Sequence, residues 1–322
     1  VQEQLPGTGE VLALDIGGTK IAGALVRRDG SLPARAQRTT PATEGSAAII
    51  KAMLQVANEL MASGSFTPQG LGLGAAGVID PGTAKVLSAT DTLTGWAGTD
   101  LAGELAAHTG LPVKAVNDVH AHGLGEARFG AGIGAADMLL VAVGTGIGGA
   151  YLHDGRLVTG RHHIAGHVGH IDSAFAAGLE CSCGRASHVE AIGSGPAIYR
   201  HYQRLANNPE ASSTRDVADL ARSGDAHACT ALEVGGLAVG SALGSLANVL
   251  DPQKLVVAGG MAHAGDLWWD AVRTGFERSA IDALAQTRLL PAALGTDAAL
   301  LGAASLFWNE DFEESLDVAH GN

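Results

Sequence analysis

Two segments place glycines where a backbone can approach an anion closely. In DIGGTK, Asp15 closes an apolar run and is followed by Gly17, Gly18, Thr19 and Lys20; in GTGIGGA, a second apolar run leads into Gly144, Thr145 and Gly146. Without a Cβ, successive N–H groups can crowd around a phosphate. A plain glycine hairpin explains either segment alone, but two of them about 130 residues apart suggest a shared purpose. Neither is a GxxxxGK[ST] loop, and neither opens a dinucleotide-binding βαβ unit with a suitably placed acid after it, which argues against Walker-type ATPases and dehydrogenases. Asn117-Asp118 ends another short apolar run and, taken alone, reads as a strand-end cap or turn. Cys181 and Cys183, one residue apart, suit metal ligation better than a disulfide framework. With His170 before them and His188 five residues after, they make a candidate zinc set, two thiolates and two imidazoles closing a tetrahedral structural site.

The elements that must carry these residues follow from hydrophobic periodicity. Val11 to Asp15 and Ile21 to Val26 read as strands joined through the first glycine turn. Met138 to Val143 and Ala150 to Leu152 repeat that pattern around the second, a hint of two related domains. Helical spacing covers 45–62, 101–108 and 232–249, and further strands are expected at 71–74, 113–116 and 255–257. Gly259 and Gly260 form another glycine turn after the last of these, and the acidic end from Asn309 to Asn322 is expected to fray.

Composition limits the function classes. Aromatics are 4% of 322 residues while glycines number 46, so the core must be closely packed small aliphatics in an α/β arrangement of one large or two moderate domains. A formal net charge of -13 disfavours extended nucleic-acid contact and still allows a local nucleotide site. No uninterrupted apolar run reaches the roughly 18 to 20 residues of a membrane span, and the start lacks a basic region followed by an apolar one. A cytoplasmic protein without membrane contact is the expectation.

In order, DIGGTK, the VND at 116–118, GTGIGG, GHVGH at 166–170, CSCGRASHVE at 181–190 and VAGG at 257–260 resemble the motifs of ROK sugar kinases over essentially the whole chain. The resemblance implies the actin-like ATPase (ribonuclease H-like) fold: two α/β domains with an interdomain cleft, one formed by 1–118 plus 298–322 and the other by 119–297. It also implies ATP, with its phosphates on Gly17, Gly18, Thr19, Lys20, Gly144, Thr145 and Gly146, its adenosine near Gly259 and Gly260, and Asp15 meeting Mg²⁺ through water. Asp118 would be the base that takes a sugar hydroxyl proton, with Asn117, His167, His170, Glu190 and Gly77 around the sugar. A homodimer, small-molecule sugar and ATP as the partners, and structural Zn²⁺ on His170, Cys181, Cys183 and His188 complete the expectation.

The departures from the family pattern concern specificity and metal. His188 stands where a third Cys is usual and Ser187 where Gly precedes it; two imidazoles with two thiolates still suit zinc, and the alternative is a metal-free pair of thiols. His167 stands where glucokinases usually carry Glu. A neutral imidazole has one donor and one acceptor, which suits an N-acetyl carbonyl better than a vicinal diol. GHxGH and the following VEAIGSG resemble bacterial N-acetylmannosamine kinases, so that sugar is the first expectation, with glucose or N-acetylglucosamine as alternatives. The family also contains sugar-responsive transcriptional regulators. These carry a DNA-binding domain ahead of the first glycine hairpin, where only 14 residues precede Asp15 here.

Overall fold

The computed structural model describes residues 9–63, 68–206 and 211–308; the acidic end expected to fray lies outside the described residues. Along the chain run β1 (Val11–Ile16), β2 (Lys20–Val26), β3 (Ala34–Thr39), α1 (Ser46–Ala62), β4 (Leu71–Ala75), β5 (Val78–Asp80), β6 (Lys85–Ser88), α2 (Leu101–Thr109), β7 (Val113–Asn117) and α3 (Asp118–Phe129). Then follow β8 (Met138–Val143), β9 (Ile147–His153), β10 (Arg156–Leu157), α4 (Glu190–Gly193), α5 (Gly195–Leu205), α6 (Thr214–Arg222), α7 (Ala226–Leu250), β11 (Lys254–Ala258), α8 (Asp266–Ser279), β12 (Leu289–Pro291) and α9 (Ala298–Ser305). Two compact units emerge, one of Val1–Ala136, Leu152–Ile164 and Ala293–Asn322, the other of Asp137–Tyr151 and Ala165–Ala292.

In the first unit a five-stranded sheet has the order β3-β2-β1-β4-β7, with β1, β4 and β7 parallel and β2 and β3 antiparallel on one side. Helix α1 lays Ile49, Met53, Val56, Ala57 and Leu60 into its core, the i, i+4, i+7 stripe expected of an amphipathic helix. Glu126 on α3 is fully buried. Its carboxylate accepts backbone N–H groups from Ala131, Ala293 and Leu294 at 2.8 to 3.0 Å, which satisfies the charge and fixes the chain leading into α9.

The second sheet, β10-β9-β8-β11-β12, repeats the same order, with β8, β11 and β12 parallel. This is the pair of matching strand-turn-strand units anticipated from the two glycine hairpins. Strand β9 begins at Ile147 rather than Ala150 because its glycines admit a close neighbour: Gly149 N–H donates to Gly166 O at 2.6 Å. Helix α7 starts at Ala226, six residues before the expected Leu232, because the Asp225 carboxylate caps it by accepting Ala228 N–H at 2.7 Å. By length and composition α7 could cross a membrane, a threshold that a search for unbroken apolar runs does not meet. Instead, its glycines press against α8, where a Cβ on Gly240 would lie 2.0 Å from Val272 O, and it serves as a core helix of this unit.

Candidate active site and metal centre

Asp15 and Asp118 sit at the C-terminal ends of parallel strands, the edge at which α/β sheets present their binding residues. β4 separates the strands that carry them, and its residue paired with Asp15 is Gly74. A Cβ on Gly74 would lie 2.9 Å from Ala121 Cβ, 3.6 Å from Asp118 Cα and 3.7 Å from Asp15 Oδ1, so the missing side chain lets the start of α3 pack closely on β4 beside Asp15. Burial, then the Asp118 charge, push the Asp15 carboxyl up to about 7, with Lys20 acting in the opposite direction. Two carboxyls that raise one another's proton affinity suit a nearby cation or a proton held on one of them.

Asp118 is the first residue of α3, at the positive end of its dipole, and its Oδ1 accepts Val119 N–H at 2.9 Å. Asn117 caps the same helix: its Oδ1 accepts N–H from Val119 at 2.9 Å and His120 at 3.4 Å. Its Nδ2 donates to Gly77 O at 2.9 Å, which leaves one amide hydrogen for a ligand. The strand-end cap reading of Asn117 is therefore met alongside any contact with substrate. Gly77 takes φ 102°, and its part is to offer that carbonyl. Trp96 is fully buried and donates from Nε1 to Ala76 O at 2.9 Å, bracing the turn that Asn117 holds.

The first glycine turn is closed by Gly17 N–H on Lys20 O at 3.0 Å and by the Thr40 hydroxyl on Gly17 O at 2.7 Å. Thr19 O accepts Thr40 N–H, Gly18 packs on Thr92, and Lys20 starts β2 with an exposed side chain. In the second unit, Gly144 N–H donates to Gly146 O and Gly195 N–H to Gly144 O, both at 2.9 Å, so Gly144, Thr145 and Gly146 form a tight turn tied to the start of α5. Gly259 has φ 87° and would drive a Cβ to 2.4 Å from Val143 O, which brings the end of β11 against the end of β8; Gly260 opens the turn after it.

The segment 166–170 docks on β9 through the Gly166 carbonyl and through Gly169, where a Cβ would meet Ile147 O at 2.2 Å. It carries His167, exposed, and His170, with ring centroids 6.1 Å apart. His170 Nδ1 lies 3.6 Å from Cys181 Sγ, and His188 Nδ1 lies 3.3 Å from Cys183 Sγ. One ligand atom from each of these four residues falls within 4.8 Å of all the others. The two His–Cys separations, 3.6 and 3.3 Å, match the edges of about 3.3 to 3.8 Å in a tetrahedron with bonds of about 2.0 to 2.3 Å, as nitrogen and sulfur make to zinc. Burial, foremost, holds the His170 imidazole below its ordinary range and the Cys181 thiol above it. A neutral imidazole is ready to ligate, whereas the thiol must give up its proton to the metal. Ser187, in the place of a family glycine, takes φ 70°, the left-handed backbone that glycine accepts without strain.

Glu190, at the start of α4, joins the glycine turn and the metal loop. Its Oε2 accepts Ile147 N–H at 2.8 Å and its Oε1 accepts the Ser182 hydroxyl at 2.5 Å. The sequence reading missed Gly74 and Ser182. The signal for Gly74 was its place inside the apolar LGLGA run, where a glycine marks close approach. Nothing in the sequence pattern singled out Ser182.

Sheets of this order, glycine turns and strand-end carboxylates define an α/β protein of the actin-like ATPase fold. The ROK family pattern matches residues 11–310, and the chain belongs to the ROK family. A glucokinase of Halalkalibacterium halodurans is 30% identical over 307 residues, covering 90% of this chain and 92% of that one. An N-acetylmannosamine kinase of Escherichia coli O6:H1 is 32% identical over 301 residues, covering 93% and 98%. The ROK family glucokinase from Streptomyces griseus, solved with glucose and AMPPNP, superposes with a TM-score of 0.80 at 31% identity over 92% of this chain and 98% of that one.

Proposed function

We propose that this chain, a sugar kinase, transfers the γ-phosphoryl group of ATP to the 6-hydroxyl of a hexose, with N-acetylmannosamine as the preferred acceptor. The observation that supports the reaction is the Asp15 carboxyl, raised by burial and by the nearby Asp118 charge, beside a glycine turn. Phosphoryl transfer passes through a loose transition state, so the protein must chiefly align a hydroxyl and balance charge. Asp118 accepts the hydrogen of the attacking hydroxyl and takes its proton as the new P–O bond forms. Asp15 would face the Mg²⁺ that accompanies ATP, a cation that would supply charge neutralisation for the phosphates. Gly17, Gly18, Thr19 and Lys20, with Gly144, Thr145 and Gly146, receive the phosphates, and Gly259 and Gly260 border the adenosine.

Asn117, His167, His170 and Glu190 hold the sugar, with Gly77 orienting Asn117. His170, Cys181, Cys183 and His188 would hold a structural zinc, which would order this loop, and His170 would offer its other ring nitrogen to a sugar hydroxyl. The relatives include kinases of both glucose and N-acetylmannosamine, and the choice between them rests on the exposed imidazole of His167. ADP release measured with N-acetylmannosamine, glucose and N-acetylglucosamine tests it. N-acetylmannosamine should give the highest kcat/KM, and His167→Glu should move preference toward glucose by roughly tenfold. A wild-type preference for glucose that the exchange leaves unchanged contradicts the assignment.

A further inference from the structure

We infer that Ser182 is a positioning residue for sugar binding: its hydroxyl fixes the plane of the Glu190 carboxylate and carries the order of the metal loop to the sugar. The inference rests on the reading of Glu190 as a sugar ligand. A glutamate carboxylate turns easily about its last torsion, which has broad minima, so one hydrogen bond to one oxygen leaves it free to pivot. Here the two oxygens have different holders. Oε2 is held by Ile147 N–H, part of a strand, and Oε1 by Ser182 Oγ at 2.5 Å, the short contact of a hydroxyl donating to a charged acceptor. A carboxylate offers about four lone-pair sites. The single donor on Oε2 leaves one acceptor site there, directed in the plane that Ile147 N–H and Ser182 Oγ together set.

The place of Ser182 in the chain gives this bond a second property. It stands between Cys181 and Cys183, so the residues on both its sides are candidate metal ligands. Cys181 Sγ also lies 3.8 Å from Glu190 Oε1, where a protonated thiol can donate. The Ser182 hydroxyl is itself 3.9 Å from Cys181 Sγ, so Glu190 Oε1, Ser182 Oγ and the Cys181 sulfur form one contact group at the edge of the Cys/His loop. The side chain is exposed, so its removal leaves the core of the unit untouched.

The test uses the protein as purified with its metal, and compares wild type with Ser182→Ala, Ser182→Thr and Glu190→Gln. KM and kcat are measured for N-acetylmannosamine, glucose and ATP, and sugar Kd is measured by calorimetry without nucleotide. Ser182→Ala should raise sugar KM and Kd roughly tenfold, the cost of a hydrogen bond to a charged group, with kcat, ATP KM and zinc content within about twofold of wild type. Ser182→Thr, which keeps the hydroxyl, should restore sugar KM to within about twofold. Sugar affinity unchanged in Ser182→Ala while Glu190→Gln weakens it overturns the inference and leaves Glu190 as a sugar ligand. Sugar affinity unchanged in Glu190→Gln overturns both the inference and that role of Glu190. A parallel rise of sugar and ATP KM in Ser182→Ala that Ser182→Thr does not restore assigns the serine to loop folding and overturns the inference as well.

Discussion

Burial and the Asp118 charge push the Asp15 carboxyl up to about 7, so the metal-free protein keeps a proton that the unfolded chain releases near pH 4. The sign follows directly. A raised carboxyl favours folding most below its unfolded value and loses that contribution as pH rises through the folded one. At pH 8 the ionised Asp15 costs the folded state on the order of 4 kcal/mol, three units at 1.36 kcal/mol each. Asp15→Asn should therefore stabilise the metal-free protein by several kcal/mol at pH 8 and by little at pH 4, as read by urea unfolding in EDTA, while turnover is lost. Equal stabilities at pH 8 contradict the coupling. The same reasoning explains why residue identity alone undersold Asp15: DIGGTK reads as a glycine hairpin until its burial and the nearby Asp118 charge are seen.

At the scale of elements, function depends on backbones that approach more closely than side chains allow. Helices α7 and α8 meet through Gly240 against Val272 O and Gly275 against Leu237 O, with a Cβ on Gly275 falling 2.4 Å from that carbonyl. Gly240→Ala should cost about 3 kcal/mol by overpacking, measured by chemical unfolding; a loss below about 0.5 kcal/mol shows that the helices can part at little cost. The metal loop is the other element under test. It is short of regular structure, pinned by isolated bridges at Asp172–His188 and Glu180–Ala186, and built around four ligand atoms. Purified protein should contain about one zinc per chain, and His188→Ala should lower that content and the melting temperature together. Protein that folds and binds sugar with no zinc refutes the structural-metal assignment.

Across the whole molecule, periodicity made the strands and helices around the glycine turns legible. Those segments combine unbroken apolar runs with punctuation by Gly and Asn. The small edge strands and the helices at 195–205, 214–222, 266–279 and 298–305 went unread. In α6, for example, the start depends on Ser213 accepting Asp216 N–H, and the apolar face of Val217, Ala218, Leu220 and Ala221 spans little more than one turn, too short to show a period. The glycine turns and strand-end acids were legible as motifs in order, and the family motif picked out His170, Cys181, Cys183 and His188, whose ligand atoms lie within 4.8 Å of one another. What spacing did not convey was the double use of side chains. Asn117 caps a helix as well as facing the site, and Glu190 ties a glycine turn to the metal loop. Tertiary proximity decides both. The central claim, that Asp118 is the proton acceptor of an ATP-dependent sugar kinase, is tested most directly by single-turnover phosphoryl transfer from ATP to the preferred sugar in wild type and Asp118→Asn. The variant should bind sugar and ATP within a few-fold of wild type and transfer at least about a hundredfold more slowly; transfer at the wild-type rate contradicts the account.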